Sequence, residues 1–422
     1  MLKRASFLLI LLCFSQLTAF ANFIVVPMDE TQTNHLKAYG IAYWVLSKDV
    51  PVDWLLNHRG GSFLIDSKQA IVNELIIRGV SYEIISDGTA SQLLDQIASP
   101  SSNKDAMRLN KVPDIAVYSP KSKQPWDDAV TLALTYSEIP YDVIFDDEVM
   151  TGKLANYDWL HLHHEDFTGQ FGKFYRNYAN QPWYIAQQRE QEEMASKYGF
   201  KKVSQLKLSI VKEIQSFLTG GGFLFAMCSA TDTYDISLAA EGVDIVDRVY
   251  DGDPADPNAQ SKLNYDATLA FKDFKLVLNP LEYEYADIDN NNADRPGIKE
   301  GNDFFSLFEF SAKWDPIPTM LTQNHQKLIK GFMGQTTAYK KSLIKADVVI
   351  MGETSSIDEV RYIHGIYGKG FWTFYGGHDP EDYQHYVGEP PTDLNLHPNS
   401  PGYRLILNNI LFPAAKKKKK KT

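Results

Sequence analysis

Short apolar runs alternate with amphipathic segments through the larger part of the chain. Residues 114–118 and 141–145 are short and mainly apolar, and residues 126–136 between them have the apolar spacing of a helix. Residues 203–218 repeat apolar side chains at helical spacing and precede the apolar run Phe223–Met227, which follows three glycines. Because strands and helices alternate, this pattern predicts an α/β fold whose parallel sheet carries helices on both faces.

Composition divides the chain into regions. Residues 22–98 alternate predicted strands and helices and form a smaller N-terminal α/β region, and the polar stretch that follows predicts a linker over 99–111. Residues 112–415 form the predicted main domain. Within it, residues 251–300 are rich in Asp, Asn and Pro and are expected to be an insertion or a surface excursion. A mature chain of about 400 residues exceeds one ordinary core, which fits this division.

The first 21 residues have the features of a secretory signal peptide. Lys3 and Arg4 precede an apolar core, and small residues around Phe20 predict cleavage after Ala21. This core is shorter than the roughly 20 residues that span a bilayer, and no transmembrane segment is expected in the mature chain. We therefore expect a periplasmic or secreted protein. Residues 416–422 contain six lysines and are expected to form a solvated basic tail.

Net charge argues against nucleic acid as a partner. The chain has 42 basic and 53 acidic residues. Without the six tail lysines and the two basic residues of the signal segment, 34 basic residues remain, so the folded body carries a net charge of −19. A phosphate backbone is repelled by such a surface. A small molecule, a peptide or a glycan is the expected substrate, because abundant aromatic side chains suit stacking on such ligands. No cofactor is expected.

Cys228 is the only cysteine that remains after the predicted cleavage, since Cys13 lies in the signal segment. In an oxidising compartment it has no partner for an intrachain disulfide, so it is either a buried small side chain or a reactive thiol. The predicted strand Phe223–Met227 before it and a predicted helix after it describe a nucleophile elbow. In such an elbow the helix N-terminus lowers the pKa of the thiol. The local sequence leaves both interpretations open.

A second predicted strand, Gly370–Tyr375, also ends in polar residues. Two glycines follow it, and then come His378, Asp379 and Glu381. An imidazole at this position is suited to deprotonate Cys228, and a carboxylate one or three positions later is suited to orient the imidazole. The alternative is a Gly-Gly turn whose polar side chains face solvent.

Histidines concentrate at a third predicted strand. Alternation places His161 and His163 on one face, while His164, Glu165 and Asp166 lie at the carboxyl end, where open α/β sheets bind ligands. Imidazoles beside carboxylates suit zinc, which makes a metal site at these histidines an alternative. No HExxH helix accompanies them. We therefore predict that this segment lines a ligand pocket, and we assign no metal ligands.

Two motifs carry a resemblance to a known family. The Ala-x-Cys-x-Ala segment around Cys228 and the His-Asp-Pro-Glu segment that begins at His378 resemble the class I glutamine amidotransferase-like superfamily, which includes DJ-1/PfpI and ThuA-like proteins. The resemblance covers roughly residues 112–412. It implies a flavodoxin-like sheet with Cys228 as nucleophile and His378 as base.

The same resemblance assigns further roles with some departures. The backbone N–H of Ser229 and one from the loop His164 to Asp166 would hold the oxyanion, although the glycines usual in that loop are missing. Alanines also flank Cys228 where amidotransferases usually have glycines. The family's His-Pro-Glu is interrupted here, so the third triad member is either Asp379 or Glu381.

A second resemblance concerns the start of the mature chain. Residues 26–44 are similar to exported Bacteroidota proteins labelled asparagine synthetase B-like. The chemistry in that label needs an N-terminal cysteine, where Asn22 stands, and a Ser-Gly-Gly-x-Asp-Ser loop that this sequence lacks.

Taken together, the motifs around Cys228 and His378 and the signal segment predict an exported cysteine-dependent hydrolase, or an amidotransferase-like enzyme, acting on an amide or related acyl substrate. The alternative is a noncatalytic ligand-binding or cell-envelope module that keeps the fold.

Overall fold

The computed structural model describes residues 22–120, 127–290 and 294–415. The predicted signal peptide, residues 1–21, and the predicted basic tail, 416–422, lie outside these ranges. Within them, helices alternate with the strands of two sheets, which confirms the predicted α/β class. Among the described helices, none has the length and apolar character that crossing a membrane requires.

The strands of both sheets are short, as expected for strands joined by many turns and helices. Numbered along the chain, they are β1 (Asn22–Val26), β2 (Val52–Leu56), β3 (Ser62–Asp66), β4 (Glu83–Ser86), β5 (Asp105–Leu109), β6 (Ile115–Tyr118), β7 (Asp142–Ile144), β8 (Trp159–Leu162), β9 (Phe223–Met227), β10 (Phe304–Leu307), β11 (Leu328–Lys330), β12 (Tyr339–Lys340), β13 (Val349–Thr354), β14 (Glu359–Tyr367) and β15 (Gly370–Tyr375).

The helices range from single turns to five turns. They are α1 (His35–Leu46), α2 (Gln69–Ile77), α3 (Asp87–Ala98), α4 (Ala129–Tyr136), α5 (Asp146–Met150), α6 (Tyr175–Tyr178), α7 (Pro182–Lys197), α8 (Val203–Gly220), α9 (Ser229–Ala239), α10 (Arg248–Asp251), α11 (Ala259–Lys262), α12 (Pro316–Leu321) and α13 (Pro401–Leu411).

The first five strands form an antiparallel sheet in the order β4-β1-β3-β2-β5. On its edge, Arg108 of β5 lies opposite Asp53 of β2 and donates to both carboxylate oxygens, at 2.5 and 2.7 Å. The predicted linker over 99–111 is therefore wrong for residues 105–109. Pairing with a distant strand orders this segment, although its local sequence is polar.

The larger sheet has the order β11-β10-β13-β14-β15-β9-β8-β6-β7, with β12 beside β14. Strands β7, β6, β8, β9 and β15 are parallel to one another, and they stand in the spatial order 2-1-3-4-5 when numbered by chain position. Strands β10 to β14 extend this sheet in an antiparallel manner. The sequence pattern predicts the parallel half, and it does not predict the antiparallel half.

Strand β9 is buried on both faces because its side chains alternate between two cores. Phe225 and Met227 belong to a core that includes α1, α4, α13 and the N-terminal sheet, while Leu224 and Ala226 pack on the other face with α8 and α9. A strand in this position needs a continuous apolar run, which the sequence supplies. The N-terminal sheet thus shares a hydrophobic core with the larger sheet.

The segment 251–300 contributes to the second of these cores. Phe271, Phe274 and Ile288 are fully buried in it. The buried carboxylate of Asp235 on α9 accepts hydrogen bonds from the backbone N–H of Leu269, Ala270 and Phe271 at 2.7 to 2.9 Å. The expectation of a surface excursion is wrong for these described residues, because apolar side chains dispersed among the acidic ones anchor the segment.

Candidate functional site

Cys228 occupies the turn between the carboxyl end of β9 and the first residue of α9. Its backbone has φ 51° and ψ −142°. Residues other than glycine rarely adopt a positive φ, and such a conformation costs about 1–3 kcal/mol, so it persists only where the surrounding structure enforces it. The sequence places a strand before Cys228 and a helix after it, and the structure has both elements.

A loop from the antiparallel half of the sheet covers the thiol. The backbone N–H of Gln335 donates a hydrogen bond to Sγ of Cys228 at 3.3 Å. Gly334 packs so closely that a Cβ atom there would lie 3.1 Å from Sγ and 2.9 Å from the backbone nitrogen of His378. Two backbone hydrogen bonds tie the loop to the end of β15, from His378 to Met333 and from Gly377 to Thr336.

His378 follows β15 and lies beside Cys228 with its ring buried. Its Nδ1 is 3.1 Å from Nε2 of His163, and its Nε2 is 3.6 Å from Oδ1 of Asp127. Burial disfavours a charged ring, but the interactions with Asp127 and Cys228 outweigh burial and raise the pKa of His378 to about 10. The environment of this ring therefore favours a positive charge on it.

A second layer of side chains fixes the orientation of His163. Asp128 caps α4 by accepting the N–H of Thr131 at 2.9 Å, and its other oxygen lies 3.1 Å from Nε2 of His161 and 3.4 Å from Nδ1 of His163. Burial lowers the pKa of His163 to about 4, although Asp128 opposes this effect. A neutral His163 with its proton on Nδ1, facing Asp128, accepts a hydrogen bond from Nδ1 of His378.

The carboxylate beside the His378 ring is not the one that the sequence suggests. Asp379 accepts the N–H of Glu381 at 2.8 Å, and Glu381 pairs with His397 at 3.1 Å. Because the chain reverses after His378, both carboxylates are held by other partners. Among the described residues, Asp127 is the carboxylate that approaches this ring, and the expectation for Asp379 or Glu381 is corrected accordingly.

The segment after β8 surrounds the site in part. The ring of His164 lies 5.1 Å from that of His163 and 6.0 Å from that of His378. Glu165 accepts the N–H of His163 at 3.0 Å, and burial raises its pKa to about 8. Asp166 accepts N–H groups of its own loop at 2.6 and 3.1 Å, so its role is to shape the turn. His164, Glu165 and Asp166 line a small cavity whose other walls include Lys207 but not Cys228.

The first turn of α9 offers one candidate donor for an oxyanion. The N–H of Ala230 is occupied by the carbonyl oxygen of His163 at 2.9 Å. The N–H of Ser229, at the helix start beside Cys228, remains the candidate, because the first N–H groups of a helix have no acceptor within it. His161 is held by the carbonyl oxygen of Phe225 at one ring nitrogen and by Asp128 at the other.

Sequence reasoning missed His385. Its Nε2 is 3.1 Å from Oδ1 of Asp127, its Nδ1 is 2.8 Å from Oδ2 of Asp382, and its ring stacks on that of His378 with centroids 4.7 Å apart. It also missed the adjacent carboxylates Asp127 and Asp128. The available signal was their position at the start of the helix predicted over 126–136, where aspartate is a common N-cap.

Comparisons with known proteins add little to this geometry. No family model matches the chain, and no curated protein matches it in sequence. Two solved structures of cytoplasmic proteins from Salmonella typhimurium each align with 72% of this chain and 100% of their own length, at 11% and 13% identity, with TM-scores of 0.35. A TM-score of 0.35 is too low to indicate a shared fold.

Proposed function

We propose that this protein is an exported cysteine-dependent hydrolase, or an amidotransferase-like enzyme, that acts on an amide or related acyl substrate. The observation that carries the proposal is the position of Cys228. Its thiol stands at a strained strand-to-helix turn, receives the N–H of Gln335 at 3.3 Å, and lies beside His378. A backbone N–H directed at the sulfur and a neighbouring imidazole that can accept the thiol proton are the groups that a nucleophilic cysteine requires.

The proposed reaction uses Cys228 as nucleophile and His378 as proton carrier. His378 holds the thiol proton, and the sulfur attacks the carbonyl carbon. His378 then gives this proton to the leaving nitrogen as the C–N bond breaks, which leaves a thioester on Cys228. Water attacks the thioester, His378 takes a proton from that water, and the C–S bond breaks, which releases the acid and restores Cys228 with its proton held by His378. The Ser229 N–H is the proposed donor to the oxyanion.

The sheet topology supports a relationship to enzymes that use this chemistry. The spatial order 2-1-3-4-5 of the five parallel strands is the order of flavodoxin-like sheets. Cys228 and His378 follow the carboxyl ends of the adjacent strands β9 and β15, the edge at which such sheets bind ligands. We propose on this basis that residues 112–415 form a class I glutamine amidotransferase-like domain, with Asp127 or the Asp128–His163 pair replacing the usual carboxylate.

One observation favours the noncatalytic alternative. Only 3% of Cys228 is exposed, so a substrate reaches the sulfur only if covering groups move. A ligand-binding or cell-envelope module that keeps the fold would need no such access. Reactivity of the thiol in the folded protein separates the two functions.

The test is labelling of Cys228 by iodoacetamide at neutral pH in chelator-treated, folded protein. We expect labelling faster than that of the same cysteine in the urea-unfolded chain, and at least about tenfold slower labelling in His378→Ala, because His378 is the proposed acceptor of the thiol proton. Glu381→Gln is the matched control, since Glu381 pairs with His397. A Cys228 that reacts only after unfolding would refute the hydrolase and leave the noncatalytic module.

If Cys228 is labelled in the folded protein, the next experiment is a search for the substrate. Acyl amides and esters of varied size are incubated with the protein, and a thioester on Cys228 is sought by intact-mass measurement after acid quenching. The adduct is expected with wild type and not with Cys228→Ala. Failure of every acyl donor to modify a reactive Cys228 would count against the acyl-transfer chemistry.

A further inference from the structure

Three ligand-type atoms converge beside the cysteine site. Nε2 of His378 and Nε2 of His385 lie 3.6 and 3.1 Å from the same oxygen of Asp127. The side chains of His378, His385 and Asp127 are 8%, 6% and 12% exposed. Among the described residues, neither of these nitrogens nor either Asp127 oxygen has a hydrogen-bond partner of acceptable geometry. Such buried polar atoms are costly unless something binds them.

The spacing of these atoms matches a shared cation better than it matches hydrogen bonds. Zinc binds imidazole nitrogen and carboxylate oxygen at about 2.0–2.2 Å, and tetrahedral angles then separate the ligand atoms by about 3.3 Å. The two separations here, 3.1 and 3.6 Å, lie on either side of that value. The 3.1 Å approach of His385 to Asp127 is short enough for a hydrogen bond but is misdirected for one.

Side chains that are not themselves proposed ligands, Asp382 and His163, hold the two imidazoles by their Nδ1 atoms. Asp382 accepts from Nδ1 of His385 at 2.8 Å, and His163, itself oriented by Asp128, lies 3.1 Å from Nδ1 of His378. Metal-binding histidines regularly donate their other ring N–H to such partners, which fixes the tautomer and aims the lone pair. Here both Nδ1 atoms are engaged, which leaves the two Nε2 atoms, 3.6 and 3.1 Å from the same Asp127 oxygen, as the remaining ring donors.

We propose that Asp127, His378 and His385 bind a divalent zinc ion with one coordination position open. Two imidazoles and one carboxylate form a borderline donor set that suits zinc, and three protein ligands with an open fourth position are typical of reactive zinc sites. This set differs from the His161, His163 and His164 cluster that the sequence offers as a metal alternative. It does not rest on the cysteine chemistry.

A zinc ion bound to His378 would also affect the neighbouring thiol of Cys228. Nε2 of His378 cannot bind zinc and carry a proton at the same time. Zinc therefore competes with the proton transfer proposed for Cys228, and the same histidine serves one site or the other. Zinc added to chelator-treated protein should accordingly slow labelling of Cys228 in wild type.

The experiment is a calorimetric titration of the chelator-treated full chain with Zn²⁺. We expect one zinc per chain in wild type and at least about 100-fold weaker binding in His385→Ala and in Asp127→Asn, which remove ligands. Asp382→Asn removes an outer partner and should weaken binding about 10- to 100-fold. His397→Ala is the matched control, because this histidine pairs with Glu381, and its affinity should equal that of wild type.

Two results would overturn the zinc site. One is the absence of zinc binding by wild type, and the other is wild-type affinity in both His385→Ala and Asp127→Asn. Thermal unfolding of the metal-free variants verifies that they fold, and Asp382→Asn provides a milder variant if a ligand change prevents folding. Fast labelling of Cys228 in a wild type that binds no zinc would leave the thiol chemistry standing alone, and zinc binding by a wild type whose Cys228 does not react would leave the zinc site standing alone, so the two proposals fail separately.

Discussion

Gly334 offers a direct test of the close packing over Cys228. In Gly334→Ala the new Cβ atom would stand 2.9 Å from the His378 backbone nitrogen and 3.1 Å from Sγ of Cys228. Ordinary van der Waals contact begins near 3.4 Å, so the loop must retreat by about 0.5 Å from a backbone atom that is itself held by a hydrogen bond to Met333. Overpacking of this kind costs about 1–3 kcal/mol.

The displacement also moves the Gln335 N–H away from the sulfur. A misplacement of about 1 Å in a reactive site costs about 100-fold in rate, so about 0.5 Å corresponds to roughly tenfold slower labelling of Cys228 in Gly334→Ala. Gly301→Ala is the control, because a Cβ at Gly301 meets no atom within 4 Å. Chemical denaturation gives the stability change. Wild-type labelling and stability in Gly334→Ala would refute the close approach of this loop to Cys228.

Two further predictions concern stability. Burial lowers the pKa of His364 to about 4, and its Nδ1 donates to the Trp372 carbonyl oxygen at 2.9 Å. The unfolded chain binds this proton near pH 6.5 and the folded chain does not, so about 3 kcal/mol of unfolding free energy is lost as pH falls from 6.5 to 4. Denaturant titrations should show a smaller loss in His364→Gln, and equal losses would refute the assignment. Arg361→Met should destabilise the protein by about 3–5 kcal/mol, because it leaves the buried Asp303 and Glu359 short of a partner. A midpoint of denaturation unchanged from wild type would contradict this.

Local sequence signals predict the parallel half of the large sheet well. The predicted strands Phe223–Met227 and Gly370–Tyr375 have the bounds that the structure gives them, and the helix expected over 203–218 ends only two residues later. These segments are apolar runs or periodic helices bounded by glycine, so their burial can be predicted from residues that are close together in the sequence. Strand β5 and the antiparallel extension depend on pairing with distant segments, which a local pattern does not contain.

The candidate site also has residues that the sequence predicts and residues that it does not. Cys228 and His378 stand at the ends of predicted strands, and a parallel sheet brings the ends of neighbouring strands together. Two partners of His378, Asp127 and His385, were not predictable by this argument. Asp127 precedes a helix and His385 lies in an irregular turn, so neither position follows from a strand order. Choosing Asp379 or Glu381 for their nearness in sequence ignores the reversal of the chain after His378.

The loop that donates Gln335 N–H to Cys228 has a consequence for biosynthesis. Gln335 lies 107 residues after Cys228 in the chain, and His378 lies 215 residues after His163. A chain made from its N-terminus therefore presents strand β9 and its thiol long before any of these partners exist. During that interval the thiol lacks the Gln335 loop that covers it in the folded protein, so the sulfur stays accessible until synthesis reaches this loop.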